Sequence, residues 1–164
     1  MPLLDAYIPQ GALTPEAEEA LMARLTDVLL ENEGADPTNP RARSVAWVVL
    51  HRPEAVFVAG ERADLPRYRV VVSVPEGQVG PKRKEAMVAA VTEAVLDAEP
   101  HGRDRDPMRV WVFMNDVPEG TWGAGGRIMG LADIAGFVMD DREAARAYAE
   151  HRLAKARGAA ATPA

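Results

Sequence analysis

A chain of 164 residues with no cysteine and a net charge of −6 is long enough for one core-bearing domain, and it excludes disulfide scaffolds, thiol nucleophiles and thiolate metal sites. Its three histidines, His51, His101 and His151, stand 50 residues apart without ligand spacing, which speaks against a metal site, and the acidic balance speaks against nucleic acid. The opening MPLLDAYIPQ lacks the basic and apolar parts of a signal peptide, and no stretch approaches the roughly 20 apolar residues of a membrane span. The expectation is a cytoplasmic protein with no cofactor and no membrane or nucleic-acid partner.

The first strand-like run, Leu3-Leu4-Asp5-Ala6-Tyr7-Ile8, ends in the turn signal Pro9-Gln10-Gly11. A helix follows from about Pro15 to Asn32, with Thr14 as N-cap and proline in the first turn, where its missing N–H has no helical partner anyway. Leu21, Leu25, Val28 and Leu29 fall at i, i+4, i+7 and i+8 and make one apolar stripe suited to lying on a sheet. Residues 34–43 read as a polar connector to a second strand, Val45 to Leu50, which is followed by Pro53-Glu54-Ala55-Val56-Phe57.

The same order then recurs. Tyr68 to Val74 is a strand ending in Pro75-Glu76-Gly77, an offset of 66 residues (75 − 9), and Pro81 repeats Pro15 at the same offset. A helix over about 81–98 with Val88, Val91 and Val95 on its apolar face leads through the polar connector 99–107 to the strand Val110-Trp111-Val112-Phe113-Met114. Pro118 to Trp122 follows, offset by 65 from Pro53 to Phe57 (122 − 57). The pattern predicts an α+β fold. Tandem β-α-β units, 2–66 and 67–127, form a four-stranded mixed sheet with two helices on one face, the other face meeting another subunit. Residues 128–158 are expected as a C-terminal extension with one helix, from Asp140 to about Arg157, and 159–164 as a disordered tail; 1–164 is taken as one domain.

The residue with the sharpest chemistry is Pro2. Methionine before a small second residue is normally excised, which would leave Pro2 with a free secondary amine. An α-amino group titrates near about 8 in water, and desolvation or a neighbouring cation lowers it. A base poised near neutrality can take a proton α to a carbonyl and return it elsewhere. The ring also fixes the direction of the nitrogen lone pair.

A proline directly after the initiator methionine, opening a strand in a duplicated β-α-β chain, resembles the tautomerase superfamily, over essentially residues 2–127. The turn after the first strand and the stretch from Arg109 to Arg127 resemble 4-oxalocrotonate tautomerase and its relatives. The run His51-Arg52-Pro53-Glu54-Ala55-Val56-Phe57 resembles malonate semialdehyde decarboxylase, and the Trp111-Val112-Phe113 strand with Gly126-Arg127 resembles cis-3-chloroacrylic acid dehalogenase. The resemblance implies a homotrimer, a small carbonyl or enol substrate of 2-oxo acid type, and Pro2 as general base of a cofactor-independent keto–enol isomerase. It places Trp111 and Phe113 as pocket-lining residues by likeness to macrophage migration inhibitory factor, with Phe57 or Trp122 supplied by a neighbouring subunit.

The sequence also departs from the family. Carboxylate-binding arginines after the two turns are replaced by Ala12 and Gln78, and the two-arginine loop of the decarboxylase and dehalogenase branches falls on 76–79, which has none. The decarboxylase aspartate falls near Arg43. The dehalogenase tyrosine, glutamate and histidine fall on Phe113, Ala124 and Leu29. The remaining candidate cations are Arg109, Arg43 and Arg127, with Arg109 favoured by one alignment, and Glu76 is a candidate acid on the turn beside the pocket. Hydratase, dehalogenase or decarboxylase chemistry on the same scaffold, or a non-catalytic trimeric binding protein, are the alternatives.

Overall fold

The structure is a computed structural model that describes residues 2–160. Its four main strands are β1 (Leu3–Tyr7), β2 (Trp47–His51), β5 (Tyr68–Pro75) and β6 (Val110–Val117). Two short hairpins, β3 (Phe57–Val58) with β4 (Glu61–Arg62) and β7 (Gly123–Ala124) with β8 (Arg127–Ile128), occupy the segments that end each unit. The helices are α1 (Pro15–Glu33), α2 (Pro40–Ser44), α3 (Pro81–Asp97), α4 (Leu131–Met139) and α5 (Arg142–Ala160). The chain is α+β, with a four-stranded mixed sheet in the order β2-β1-β5-β6. Each unit pairs its own two strands in parallel, and β1 meets β5 antiparallel in the centre.

The register shows what the repeat means geometrically. Asp5 pairs with Val71, which is its own repeat equivalent at the 66-residue offset, so a pseudo-twofold axis passes through that pair. The axis carries Leu4, Ala6 and Ile8 onto Val70, Val72 and Val74, all fully buried beneath the helices. In the parallel pairs Leu3 opposes Trp47 and Arg69 opposes Trp111, so the second strands match at an offset of 64 (111 − 47), not 65. Trp47 is therefore the counterpart of Trp111, and Val49 of Phe113.

The predicted stripe of α1 lies on the sheet, with Leu21, Leu25, Val28 and Leu29 at most 2% exposed. Thr14 caps the helix through its hydroxyl, which accepts from the Ala17 N–H at 3.2 Å, and Gly34 closes it at φ 83°. The buried face of α3 includes the expected Val91 and Val95 together with Met87, Ala94 and Leu96, whereas Val88 is only half-buried. The connector 34–43 contains the one-turn helix α2, started by Asn39, whose side chain accepts from the N–H groups of Arg41 and Ala42.

The extension differs most from expectation. It is a hairpin of two helices, and the apolar segment Leu131–Met139 forms α4, turning at Asp140 (φ 58°) into α5, which runs on through Gly158. Leu131, Ile134 and Ala135 bury against Ala145 and Ala149 at this end of the molecule, which a single amphipathic helix would not require. Residues 161–164 of the expected tail lie outside the described residues. No described helix is long and apolar enough to cross a membrane.

Candidate active site

Each unit's first strand ends in the same turn. The N–H of Ala12 donates to the Pro9 carbonyl and that of Gln78 to the Pro75 carbonyl, both at 3.0 Å, with Gly11 and Gly77 at φ 75° and 79°. Only the second turn is covered. A Cβ on Gly77 would lie 3.0 Å from the carbonyl oxygen of Arg152, whereas one on Gly11 would meet nothing. Arg152 donates from Nε to the Gly77 carbonyl at 2.9 Å and from Nη2 to the Gln78 carbonyl at 2.5 Å, which fixes α5 over this end of the sheet.

The same end holds Pro2, just ahead of β1, buried and with its carbonyl accepting from the Trp47 N–H at 3.2 Å. Two clefts meet at Pro2. The inner one, about 250 Å³, is lined by Leu30, Glu33, Val45, Gln78, Ile134 and Tyr148 among others. The outer one, about 630 Å³, is walled by Trp47, Trp122, Ser73, Gly123 and Gly125 among others. At the other end of the sheet lies the pseudo-equivalent cleft of about 770 Å³, where Tyr68 stands in the place of Pro2 and Arg69, Trp111 and Tyr7 in the places of Leu3, Trp47 and Ser73. The α4–α5 hairpin closes only the Pro2 end.

Of the residues singled out in the sequence, Pro2, Gln78 and Trp122 come together. Phe57, Arg109 and Trp111 gather at the Tyr68 end. Trp111 and Phe113 make an edge-on pair with ring centres 6.4 Å apart on the helix-free face, which also exposes Trp47 and Val49. Arg43 donates to Asp27 at 2.7 Å and to the Pro37 carbonyl at 2.9 Å, so its charge is engaged outside the clefts. Glu76 accepts from the Glu119 N–H at 3.0 Å and from Arg157 at 3.2 Å, and these bonds, the backbone one foremost, hold its carboxyl below the usual range. That carboxylate ties α5 to the β5 turn. Arg127 is exposed on the β7–β8 ribbon. Arg109 is 1% exposed, and its guanidinium is committed to Glu99.

Three Pro2-cleft residues escape sequence reading. Trp47 could have been found from the 64-residue register. Glu33 and Tyr148 could not. Glu33 looks like the polar end of an amphipathic helix, yet it is 6% exposed, its Oε1 has no hydrogen-bond partner, and burial pushes its carboxyl up to about 7.

No family model matches the sequence, and no curated protein is significantly similar to it. Solved structures are. Pt0534, crystallised after inactivation by 2-oxo-3-pentynoate, is 23% identical, with 77% of this chain and 95% of that one covered at a TM-score of 0.63. A fused 4-OT that forms a symmetric trimer is 27% identical over 78% and 94% of the two chains, also at 0.63. This chain carries the tautomerase-superfamily fold. A macrophage migration inhibitory factor-like protein from Entamoeba histolytica, only 8% identical, covers 78% of this chain and 98% of its own at 0.61, so the tautomerase fold here is one of topology and not of close sequence kinship.

Proposed function

We propose that the protein is a cofactor-independent tautomerase in which Pro2, freed by removal of Met1, is the general base for proton transfer on a small carbonyl or enol substrate. The observation that carries this reading is the position of Pro2 where an apolar inner cleft and an aromatic-walled outer cleft meet, at the one end of a pseudosymmetric sheet that a helical hairpin closes. A buried secondary amine loses solvation more in its charged form, which brings its titration toward neutrality. Trp47 and Trp122 give the outer cleft flat apolar walls for an aromatic or otherwise planar substrate, with Gln78 as a neutral hydrogen-bonding group. The test is phenylenolpyruvate ketonisation by the mature protein and by Pro2→Ala, with intact mass to score Met1. Loss of the base is expected to lower kcat/KM by about 10²- to 10⁴-fold. Equal rates, or a Met1 that stays on the active protein, would sink the reading.

A homotrimer belongs to this proposal. The helix-free sheet face exposes Trp47 (66%), Trp111 (61%) and Phe113 (48%), an apolar surface of the kind that oligomers cover. The trimeric fused 4-OT supports that copy number. In such an assembly Trp111, Phe113 or Phe57 of one copy would approach the Pro2 cleft of the next, and Arg109, Arg43 and Glu76, which hold partners within the chain, would serve structure more than substrate. Phe113→Asp, which puts a charge into that face, is expected to convert the trimer to monomers by light scattering. A Phe113→Asp protein that remains trimeric would place the interface elsewhere.

A further inference from the structure

Glu33 is the last residue of α1, and nothing in the helix requires it there. The helix end is already closed by Gly34, whose N–H donates to the carbonyls of Glu31 and Leu30. Its Oε1 is buried without a partner in a cleft whose other walls, Leu30, Val45, Ile134 and Val138, are apolar. Four arginines on the elements packed around it have partners of their own. Arg83 of α3 points its Nη1 at the Asn32 carbonyl, 3.5 Å away. Arg152 of α5 holds the carbonyls of Gly77 and Gln78. In α2, Arg41 pairs with Asp140 at 2.6 Å and Arg43 with Asp27. Gln78 donates to the Glu33 main-chain carbonyl at 3.2 Å, and Tyr148 also lines the cleft. A partnerless buried carboxyl costs stability and gives nothing back in packing. The remaining ionisable group at this cleft is the Pro2 amine.

We propose that Glu33 is the second proton-transfer group of the Pro2 cleft, exchanging a proton with the carbonyl or enol oxygen of the substrate while the Pro2 nitrogen exchanges one with carbon. The idea rests on the Pro2 reading above and extends it. In enolisation the neutral nitrogen takes the proton from carbon, the C–H electron pair forms the C=C bond, and the carbonyl oxygen takes the proton from the Glu33 carboxyl. Ketonisation runs the same transfers backwards, with the enol proton passing to the carboxylate and the ammonium proton to carbon. Each turnover interconverts the neutral pair with the ammonium–carboxylate pair, and a proton passed between the two groups resets the site without changing its net charge. With an ordinary carboxyl the oxygen would face a proton donor spent at neutral pH; burial keeps this one half-protonated near pH 7. The arrangement also selects substrate. Ionised Glu33 repels a carboxylate from the inner cleft, so the substrate presents an uncharged oxygen to Glu33 and keeps any anionic end in the outer cleft between Trp47 and Trp122.

The test compares mature wild type, Glu33→Gln, Glu33→Asp and Pro2→Ala in phenylenolpyruvate ketonisation from about pH 5 to about pH 9. A second readout, independent of turnover, is the pH dependence of Pro2 alkylation by 2-oxo-3-pentynoate, in which the free amine adds across the triple bond and its N–H proton passes to the adjacent carbon. In wild type, activity should fall as pH drops through about 7, because the acceptor carboxylate is lost. Glu33→Gln should lose that limb and about 10²-fold or more in kcat, with partial rescue by Asp. Its alkylation midpoint should fall by about one pH unit, since Pro2 no longer has an anionic neighbour to stabilise its ammonium form. An unchanged acid limb in Glu33→Gln, with Pro2→Ala inactive, overturns the Glu33 role and leaves Pro2 standing. If the enolpyruvate is not turned over at all, equal alkylation midpoints in wild type and Glu33→Gln overturn it. Absence of alkylation at Pro2 in wild type removes both.

Discussion

Arg109→Met is expected to lower stability by about 3–5 kcal/mol, the range for removing one member of a buried ion pair, and the melting midpoint by about 10 °C. Nη1 of Arg109 reaches Glu99 Oε1 at 2.7 Å and the Pro66 carbonyl at 3.1 Å, while Nη2 donates to Glu99 Oε2 and to the Asp104 carbonyl. Glu99 Oε1 also accepts from the Tyr68 hydroxyl at 2.6 Å and from Arg103 at 3.2 Å. Burial pushes the Glu99 carboxyl up, but the hydrogen bonds from Arg109, Tyr68 and Arg103 outweigh it and hold the group below its ordinary value. Methionine fills most of the volume and supplies no donor. Glu99 would then keep its charge in a nearly closed site, and two carbonyls would lose their partner. Thermal melts check this, and Glu99→Gln in the Arg109→Met background should recover part of the loss by removing the stranded charge. A single variant melting within about 2 °C of wild type would mean that water reaches Glu99 and that the network contributes little.

Glu33→Gln is expected to do the opposite, and with a pH dependence whose sign is fixed. The folded carboxyl titrates near about 7 against 4.5 for its ordinary value, so the fold prefers the protonated form. Stability from this group is fully present below about 4.5 and is lost as pH rises to about 7, where the unfolded chain has already released its proton. The difference corresponds to about 3 kcal/mol of destabilisation at pH 8. Glutamine resembles the protonated acid, so the variant should match wild type near pH 4 and gain most of that amount at pH 8. Urea unfolding at both pH values measures it. A variant no more stable than wild type at pH 8 would show that the carboxylate is solvated or paired in solution. Stability gained where proton-transfer activity is lost would be the expected mark of a group kept for chemistry.

Much of the scaffold was legible because it rests on local signals repeated twice. The offset of 66, the paired Pro-x-Gly turns, the prolines opening α1 and α3, and the Leu21-Leu25-Val28-Leu29 stripe each follow from short-range backbone and packing rules. They suffice for two β-α-β units and for Pro2 at a strand start. Pro53 and Pro118 give an offset of 65, one more than the 64 of the paired strands, because they lie in loops where an extra residue costs little. That difference hid the equivalence of Trp47 and Trp111.

The site is different in kind. Sequence alone determined that a proline at position 2 stands ahead of one of two pseudo-equivalent strands, and that the usual arginine positions hold Ala12 and Gln78. Only the tertiary structure decided which end of the sheet is closed, because α4 and α5 dock through Arg152 on the second turn, Arg41 to Asp140, and the Glu119 carboxylate on the Leu131 N–H, contacts between residues far apart in the chain. It also decided the state of Glu33. A glutamate at the polar end of a helix reads as solvated, and its burial follows from the hairpin placed beside it. Arg109 and Glu99, ten residues apart, read as ordinary surface charges until the fold encloses both with Tyr68. Burial is a sum over distant segments, and no local pattern in the sequence encodes it.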